Sequence, residues 1–345
     1  MKHLVGSLSV SYVNYKSLKF LAGLETIETD NLGVNIALNP MMTEVGLTNL
    51  TTVTAPRLLI GSNPNMKTLN IPNLKNIAPS TVVNMVMNVG ILKSPNLCIT
   101  TEEMERFLEK TGPGNTTIVV KYCDPIPGGN VCTSPQYGCT RIFGEILIGR
   151  ESEWKLEMFK TVEYIFGNLQ IYEANLTSFD FLPNLKYIAN QDTLNPVLLV
   201  EGNSELVTVT FPKIQTFAPY LAVGREMTIN INPQSPTFCV TTDEMEQILN
   251  KSAPGNITVQ GKYCDPIPGQ NICTSPQNGC TKVLGNVLIG VEPEWKLEML
   301  KSVEYIFGGL HIYEANLKSF DFLPNLKYIA NLESLFPIGL GQFKW

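Results

Sequence analysis

The chain has 345 residues, 44% of them hydrophobic and only 16% charged, with a net charge of −6. That is material for two or three domains with packed cores, and it excludes a disordered chain. An acidic balance with Lys and Arg scattered singly excludes nucleic acid as a partner, and no apolar run approaches the roughly 20 residues a membrane-spanning helix needs.

The first segment, Met1 to Gly6, is a poor signal peptide, because Ser7, Ser9, Ser11 and Asn14 interrupt what should be an apolar run. It reads instead as part of a repeat. Gly6 through Ile27 matches Gly167 through Ile188, placing Leu8, Val10, Leu18, Phe20, Leu21, Leu24 and Ile27 on Leu169, Ile171, Phe179, Phe181, Leu182, Leu185 and Ile188, an offset of 161. A second offset, 141, carries Lys121–Asn130 to Lys262–Asn271, and Trp154 to Trp295. From Trp154 to Asn190 against Trp295 to Asn331, 32 of 37 positions are identical, which makes the repeat a duplication. The two offsets differ by 20, so the first copy holds roughly one extra coil.

The expected organisation is a first module at 1–123, N-terminally truncated with one extra coil, and a complete module at 139–264. A C-terminally truncated module follows at 280–345, with linkers rich in Pro, Gly and Asn at 124–138 and 265–279. Within the second copy, Gly144–Ile148, Gly167–Ile171, Pro196–Val200 and Met227–Ile231 alternate with a period of two, as strands do. Between them run turns and apolar return legs such as Phe181–Ile188, where Pro183 cannot donate to a ladder. A strand, a turn and a return leg every 22 to 30 residues predict a leucine-rich-repeat-like coil whose apolar face is buried only by stacking. Cys239 to Lys251 predicts a closing helix, with Thr241 and Glu244 as a capping box and Met245, Ile248 and Leu249 on one face. A single strand, Ile257–Tyr263, should then lead to Cys264; the first copy repeats the unit with Thr100, Glu103, Met104, Phe107 and Leu108. The fold class predicted is mainly β: tandem right-handed β-helix, leucine-rich-repeat-like solenoid modules, each closed by a short helix and a disulfide.

Eight cysteines fall in two sets of four at the module ends and joints. The economical pairing is Cys98–Cys123 and Cys239–Cys264 at the closing units, with Cys132–Cys139 and Cys273–Cys280 at the joints, although spacing alone does not dictate connectivity. The spacings are not those of zinc ligands. Disulfides point to an oxidising, extracellular compartment. Five sequons agree with this, at Asn49, Asn115, Asn175, Asn250 and Asn256.

The glycine, leucine and cysteine phrases at 138–149 and 279–290 carry a family resemblance, together with Phe-Leu-Pro-Asn-Leu-Lys-Tyr-Ile at 181–188 and 322–329 and the closing unit at 239–264. In this order they resemble the receptor L domain, the ligand-binding module of insulin and epidermal-growth-factor receptors. The resemblance implies a short right-handed β-helix, an extracellular setting and binding of a secreted peptide, a growth-factor-like ligand or a receptor ectodomain. The chain lacks a furin-like cysteine-rich region and kinase motifs, and is similar to the stand-alone tandem L-domain proteins of invertebrates.

No cofactor is expected, for the sequence has no nucleotide-binding loop and no HExxH. His3 and His311 are the only histidines. The carboxylates Glu151, Glu153, Glu157 and Glu163 raise the thought of a β-helix polysaccharide-active enzyme, but they read as solvated turn residues. If Leu169 and Ile171 point inward, Gln170 and Tyr172 point outward, as do His311 and Tyr313 in the third copy, and these four are the candidate ligand contacts. Ser9 and Ser11 hold the matching places in the first copy. Trp154 and Trp295 read as stacking inside the first coil of their modules. The function expected is non-catalytic binding outside the cell, with a structural, matrix or ligand-sequestering role as the alternative.

Overall fold

The computed structural model describes residues 1–79, 88–111, 116–123, 131–150, 155–190, 195–218, 227–252, 255–264, 272–290, 294–314 and 317–332. Trp154, the side chain of Trp295, and Asn115 lie outside the described residues.

Each coil carries two short strands, in separate parallel sheets. The strands expected from alternation form one of these. His3–Val5 and Leu8–Ser11 open the first solenoid, whose sheets hold four and five strands. Arg141–Phe143 and Ile146–Ile148 open the second, again with four and five. The third repeats the plan over its described residues. In the second five-stranded sheet the register stacks Ile146, Leu169, Leu198, Ile229 and Ile257, then Ile148, Ile171, Val200, Ile231 and Val259. All ten are buried. Each such side chain contributes roughly 1.5–3 kcal/mol, and only because the next rung covers it.

The return leg differs from the expectation. Phe181–Ile188 does not run free to its end: Tyr187–Ala189 is a strand of the four-stranded sheet, beside Tyr164–Phe166 and Thr216–Ala218. Three residues are too few to display alternation, and here both faces are buried, so the strand reads as a plain apolar run.

Stacking also fixes the corners. The residue after each of the first four strands of the first five-stranded sheet has positive φ: Tyr12 at 57°, Leu38 at 60°, Ser62 at 53° and Lys93 at 49°. Side chains at that corner's inner position close the backbone groups. Asn39 donates to the Val10 carbonyl at 3.0 Å and Asn63 to that of Ile36 at 2.9 Å, and the Asn63 Oδ1 accepts from the Asn39 amide at 3.0 Å. Both asparagines are fully buried, and the ladder satisfies amides that the turn removes from the sheet.

The closing units follow the sequence closely. The helix α1 spans Thr101–Thr111 and α2 spans Thr242–Lys251. Thr241 and Glu244 form the capping box of α2, and Thr100 and Glu103 exchange the same pair of bonds at α1. The strand expected over Ile257–Tyr263 is divided. Gly255–Val259 completes the five-stranded sheet, while Lys262–Tyr263 turns away to pair with Cys239–Val240. Gly261 sits at the turn, where a Cβ would lie 2.7 Å from the Phe238 ring. The detour brings Cys239 and Cys264 to a Cα separation of 5.0 Å, and they are bonded. Cys98–Cys123, Cys132–Cys139 and Cys273–Cys280 are the other bonds.

Successive solenoids dock directly. Tyr164, Phe166, Tyr187 and Ala189 belong to the second solenoid by sequence, yet they are buried in the core of the first. Tyr305, Phe307 and Ala330 of the third are buried in the core of the second. The Tyr122 hydroxyl donates to the Ala189 carbonyl at 2.9 Å, and the Tyr263 hydroxyl to that of Ala330 at 2.7 Å. Arg141 grips Glu105 with two bonds of 2.8 Å, and Lys282 takes the same place against Glu246 at 2.5 Å. Both joints are thus one interface used twice.

Candidate binding faces

The two sheets of each solenoid offer two outer faces. In the second and third, the four-stranded face is already occupied by the preceding solenoid. The Tyr164 ring stacks on Tyr187 with centroids 5.2 Å apart, Arg141 lies over the Tyr164 ring, and the Tyr164 hydroxyl donates to Glu109 at 2.8 Å. Burial, the largest cause, with the Glu109 hydrogen bond added, holds the Tyr164 hydroxyl well above the ordinary tyrosine range. Burial raises Tyr122 likewise and pushes Tyr187 up to about 12. The bond from Glu105 raises Arg141 further. These groups stay in one charge state at neutral pH, so the joint is a fixed contact.

The five-stranded face remains. In the first solenoid its outward rows are Ser9, Asn35, Leu59 and Gly90, then Ser11, Ala37, Gly61 and Leu92. These rows mix small, polar and apolar residues, with Ser9 exposed, Asn35 and Leu59 half-buried and Gly61 buried. In the second solenoid the equivalent row is Leu147, Gln170, Leu199, Asn230 and Thr258. Gln170 does point out of the coil, but it is only 8% exposed and donates to Glu145, so it is not an open contact. Tyr172 is half-buried beside Glu201. His311 is exposed, and Tyr313 is 54% exposed, its ring lying across Gly290. The structure therefore brings Gln170 and Tyr172 onto one face and His311 and Tyr313 onto another, without joining the two pairs. Leu147 and its repeat partner Leu288 are exposed on these faces, and sequence reasoning passed over them. Their alternation with buried Ile146 and Ile148, and with Val287 and Ile289, was the available signal.

The sequons fall unequally. Asn49, Asn175, Asn250 and Asn256 are all exposed, but Asn250 is also engaged by a neighbour. Asn250 lies in the last turn of α2, where its side chain donates to the Tyr305 hydroxyl at 3.1 Å within the second joint, and the hydroxyl of Ser252 in the same sequon is buried. The carboxylates that raised an enzymatic reading do not converge where they are described. Glu163 is paired with Lys186 at 2.7 Å and Glu157 is exposed, while Glu151 and Glu153 lie outside the described residues. His3 bonds Thr26 in a four-stranded sheet and His311 lies in the other kind of sheet, two solenoids away. Among the described residues no group of His, Cys, Asp and Glu could hold a metal ion, and no helix is long and apolar enough to cross a membrane.

Tandem two-sheet solenoids, the first two closed by a helix and a disulfide, present broad strand-made faces. The sequence profile of the receptor L domain matches residues 1–67, 138–251 and 279–336, and the chain belongs to that family. It is similar to Protein irld-34 of Caenorhabditis elegans, with 23% identity over 231 residues covering 63% of this chain and 53% of that protein. The chain thus spans about half the length of the curated relative it matches.

Proposed function

We propose that the chain is a secreted or cell-surface, non-catalytic binding protein that takes a secreted peptide or a receptor ectodomain on the outer face of its first five-stranded sheet. The supporting observation is the contrast between faces: among the described residues, the strand-made Ser9–Gly90 and Ser11–Leu92 rows carry no aromatic side chain and take no part in the joints between solenoids. A broad strand-made face suits a protein surface better than a small molecule, which needs a concave pocket. Membership of a family of ligand-binding modules and the four disulfides fit an extracellular setting.

The test is a binding screen of the glycosylated protein against secreted peptides and receptor ectodomains, with Ser9→Arg as the control that fills the face. Saturable binding lost in Ser9→Arg is the expected outcome. A second reading, a structural or matrix element, is favoured by the two docked joints, which would make the array a stiff rod. Absence of saturable binding to every ectodomain and peptide would select it.

A further inference from the structure

The two joints share one plan but differ at a residue that changes their chemistry. The end of α1 reads Glu109-Lys110-Thr111, and the matching end of α2 reads Asn250-Lys251-Ser252. In the first joint the Glu109 carboxylate accepts from the Tyr164 hydroxyl at 2.8 Å. In the second, Asn250 meets the equivalent Tyr305 hydroxyl, and the same exchange turns the tripeptide into an Asn-x-Ser sequon.

Both protons of the Asn250 amide nitrogen are committed to groups of the joint. Nδ2 donates to the Tyr305 hydroxyl at 3.1 Å and to Glu246 Oε1 at 3.4 Å. Glu246 in turn holds Lys282 of the third solenoid at 2.5 Å, and Tyr305 is 4% exposed in the core of the second. A glycan on Nδ2 replaces one of these protons with a sugar carbon. At a C–N single-bond length of about 1.45 Å, that carbon would lie roughly 1.7 Å from the Tyr305 oxygen or roughly 2 Å from the Glu246 oxygen, far inside van der Waals contact. The side chain escapes the clash only by swinging out, which takes the asparagine away from the buried Tyr305 hydroxyl. Asn250 itself is exposed in the last turn, so α2 can carry the sugar while the joint cannot. The folded site is also closed to a transferase. The Ser252 hydroxyl, the other half of the recognition sequence, is buried without a hydrogen-bond partner. Attachment therefore has to precede folding of this segment.

We propose that Asn250 is a glycan-attachment site whose occupancy, set before the second and third solenoids dock, holds the second joint open. The donor is a lipid-pyrophosphate-linked oligosaccharide. The Nδ2–H bond breaks, a bond from Nδ2 to the anomeric carbon forms, the lipid pyrophosphate leaves with the bonding electrons, and the amide proton passes to solvent. The first joint, with Glu109 in this place, is outside such control. The chain then has two states: a continuous stack, and one in which Tyr305 and Phe307 of the third solenoid are uncovered. The proposal rests on the extracellular reading above, because this transfer reaches only chains that enter the secretory pathway.

The test uses the full chain, secreted from eukaryotic cells behind a cleavable leader. Glycopeptide mass spectrometry reads occupancy at each sequon, and hydrogen exchange reads the joint at residues 305–307. Ser252→Ala blocks attachment while keeping the Asn250 side chain in the joint, and Asn250→Glu restores the residue of the first joint. Circular dichroism checks that both variants fold. The expected result is a glycan on Asn250 in the wild type, with exchange at 305–307 about tenfold or more faster than in either variant. Equal exchange in an occupied wild type and the variants overturns the proposal. An empty Asn250 beside an occupied Asn256 overturns it too and leaves the extracellular reading standing. An absence of glycan at all five sequons removes that reading and the proposal with it.

Discussion

The four-stranded sheet of the first solenoid and that of the second are built on one plan and treated oppositely. Position for position, the second presents Tyr164, Phe166, Tyr187 and Ala189 outward, where the first presents His3, Val5, Thr26 and Glu28. The inward row is apolar in both, with Leu4 and Ile27 matching Ile165 and Ile188. The coil therefore needs only its inner row to form. The outer row decides whether a neighbour docks. Aromatic rings make a second core at the joint, and polar residues leave a face that water can solvate.

The largest effect that would break this comparison is cavity formation at the joint. Phe166→Ala removes a ring buried in the core of the first solenoid and is expected to cost about 3–5 kcal/mol, whereas Val5→Ala at the matching exposed position should stay within about 0.5 kcal/mol. Denaturant titration of both variants measures the difference. Next, Cys98→Ser with Cys123→Ser frees a loop with a sequence separation of 25 residues and should cost about 2–4 kcal/mol, with the loss read by calorimetry.

Arg141→Ala comes third. It leaves Glu105 without its two-pronged partner in a half-buried setting and should cost about 1–3 kcal/mol, while the fully exposed Lys2–Glu25 pair can be broken without measurable change. The smallest and most specific effect is in alkali. Tyr187 titrates near 10 when unfolded and at about 12 in the fold, so above pH 10 the unfolded chain loses its proton first. The folded state then holds more protons, and stability falls as pH rises from about 10 toward about 12. Tyr187→Phe should flatten that slope in pH-dependent melts. Glu103 acts in the same sense at low pH. Burial raises its carboxyl above 4.5, so its contribution is present in acid and is lost as pH climbs past that value, and Glu103→Gln removes the trend while keeping the cap.

Much of the fold could be read from sequence because it obeys local rules. The strands around Leu169, Leu198 and Ile229 alternate, Thr241 and Glu244 sit three apart, and the cysteines recur with the repeat. What escaped was whatever depends on a neighbour distant in the chain. Tyr164–Phe166 and Tyr187–Ala189 hide as strands because another solenoid buries their outer sides, and alternation marks only strands with one wet face. The joints read as linkers because residues 124–138 are rich in Pro, Gly and Asn, while the contacts between the solenoids they connect, Arg141 to Glu105 and Tyr164 to Glu109, lie 36 and 55 residues apart. Gln170 alternates with buried Leu169 and Ile171, yet it is only 8% exposed, because alternation gives direction and not exposure. The usable clue was chemical: an outward row of Tyr and Phe, repeated at Tyr305 and Phe307 and missing at His3 and Val5.

The claim at the centre is that successive solenoids complete each other's interior and so open together. Native-state hydrogen exchange on Tyr187→Ala tests it most directly, comparing α1 of the first solenoid with Tyr187–Ala189 of the second. Loss of protection in both segments by the same free energy is the predicted result. Unchanged protection across Thr101–Thr111, with loss confined to the second solenoid, would contradict it.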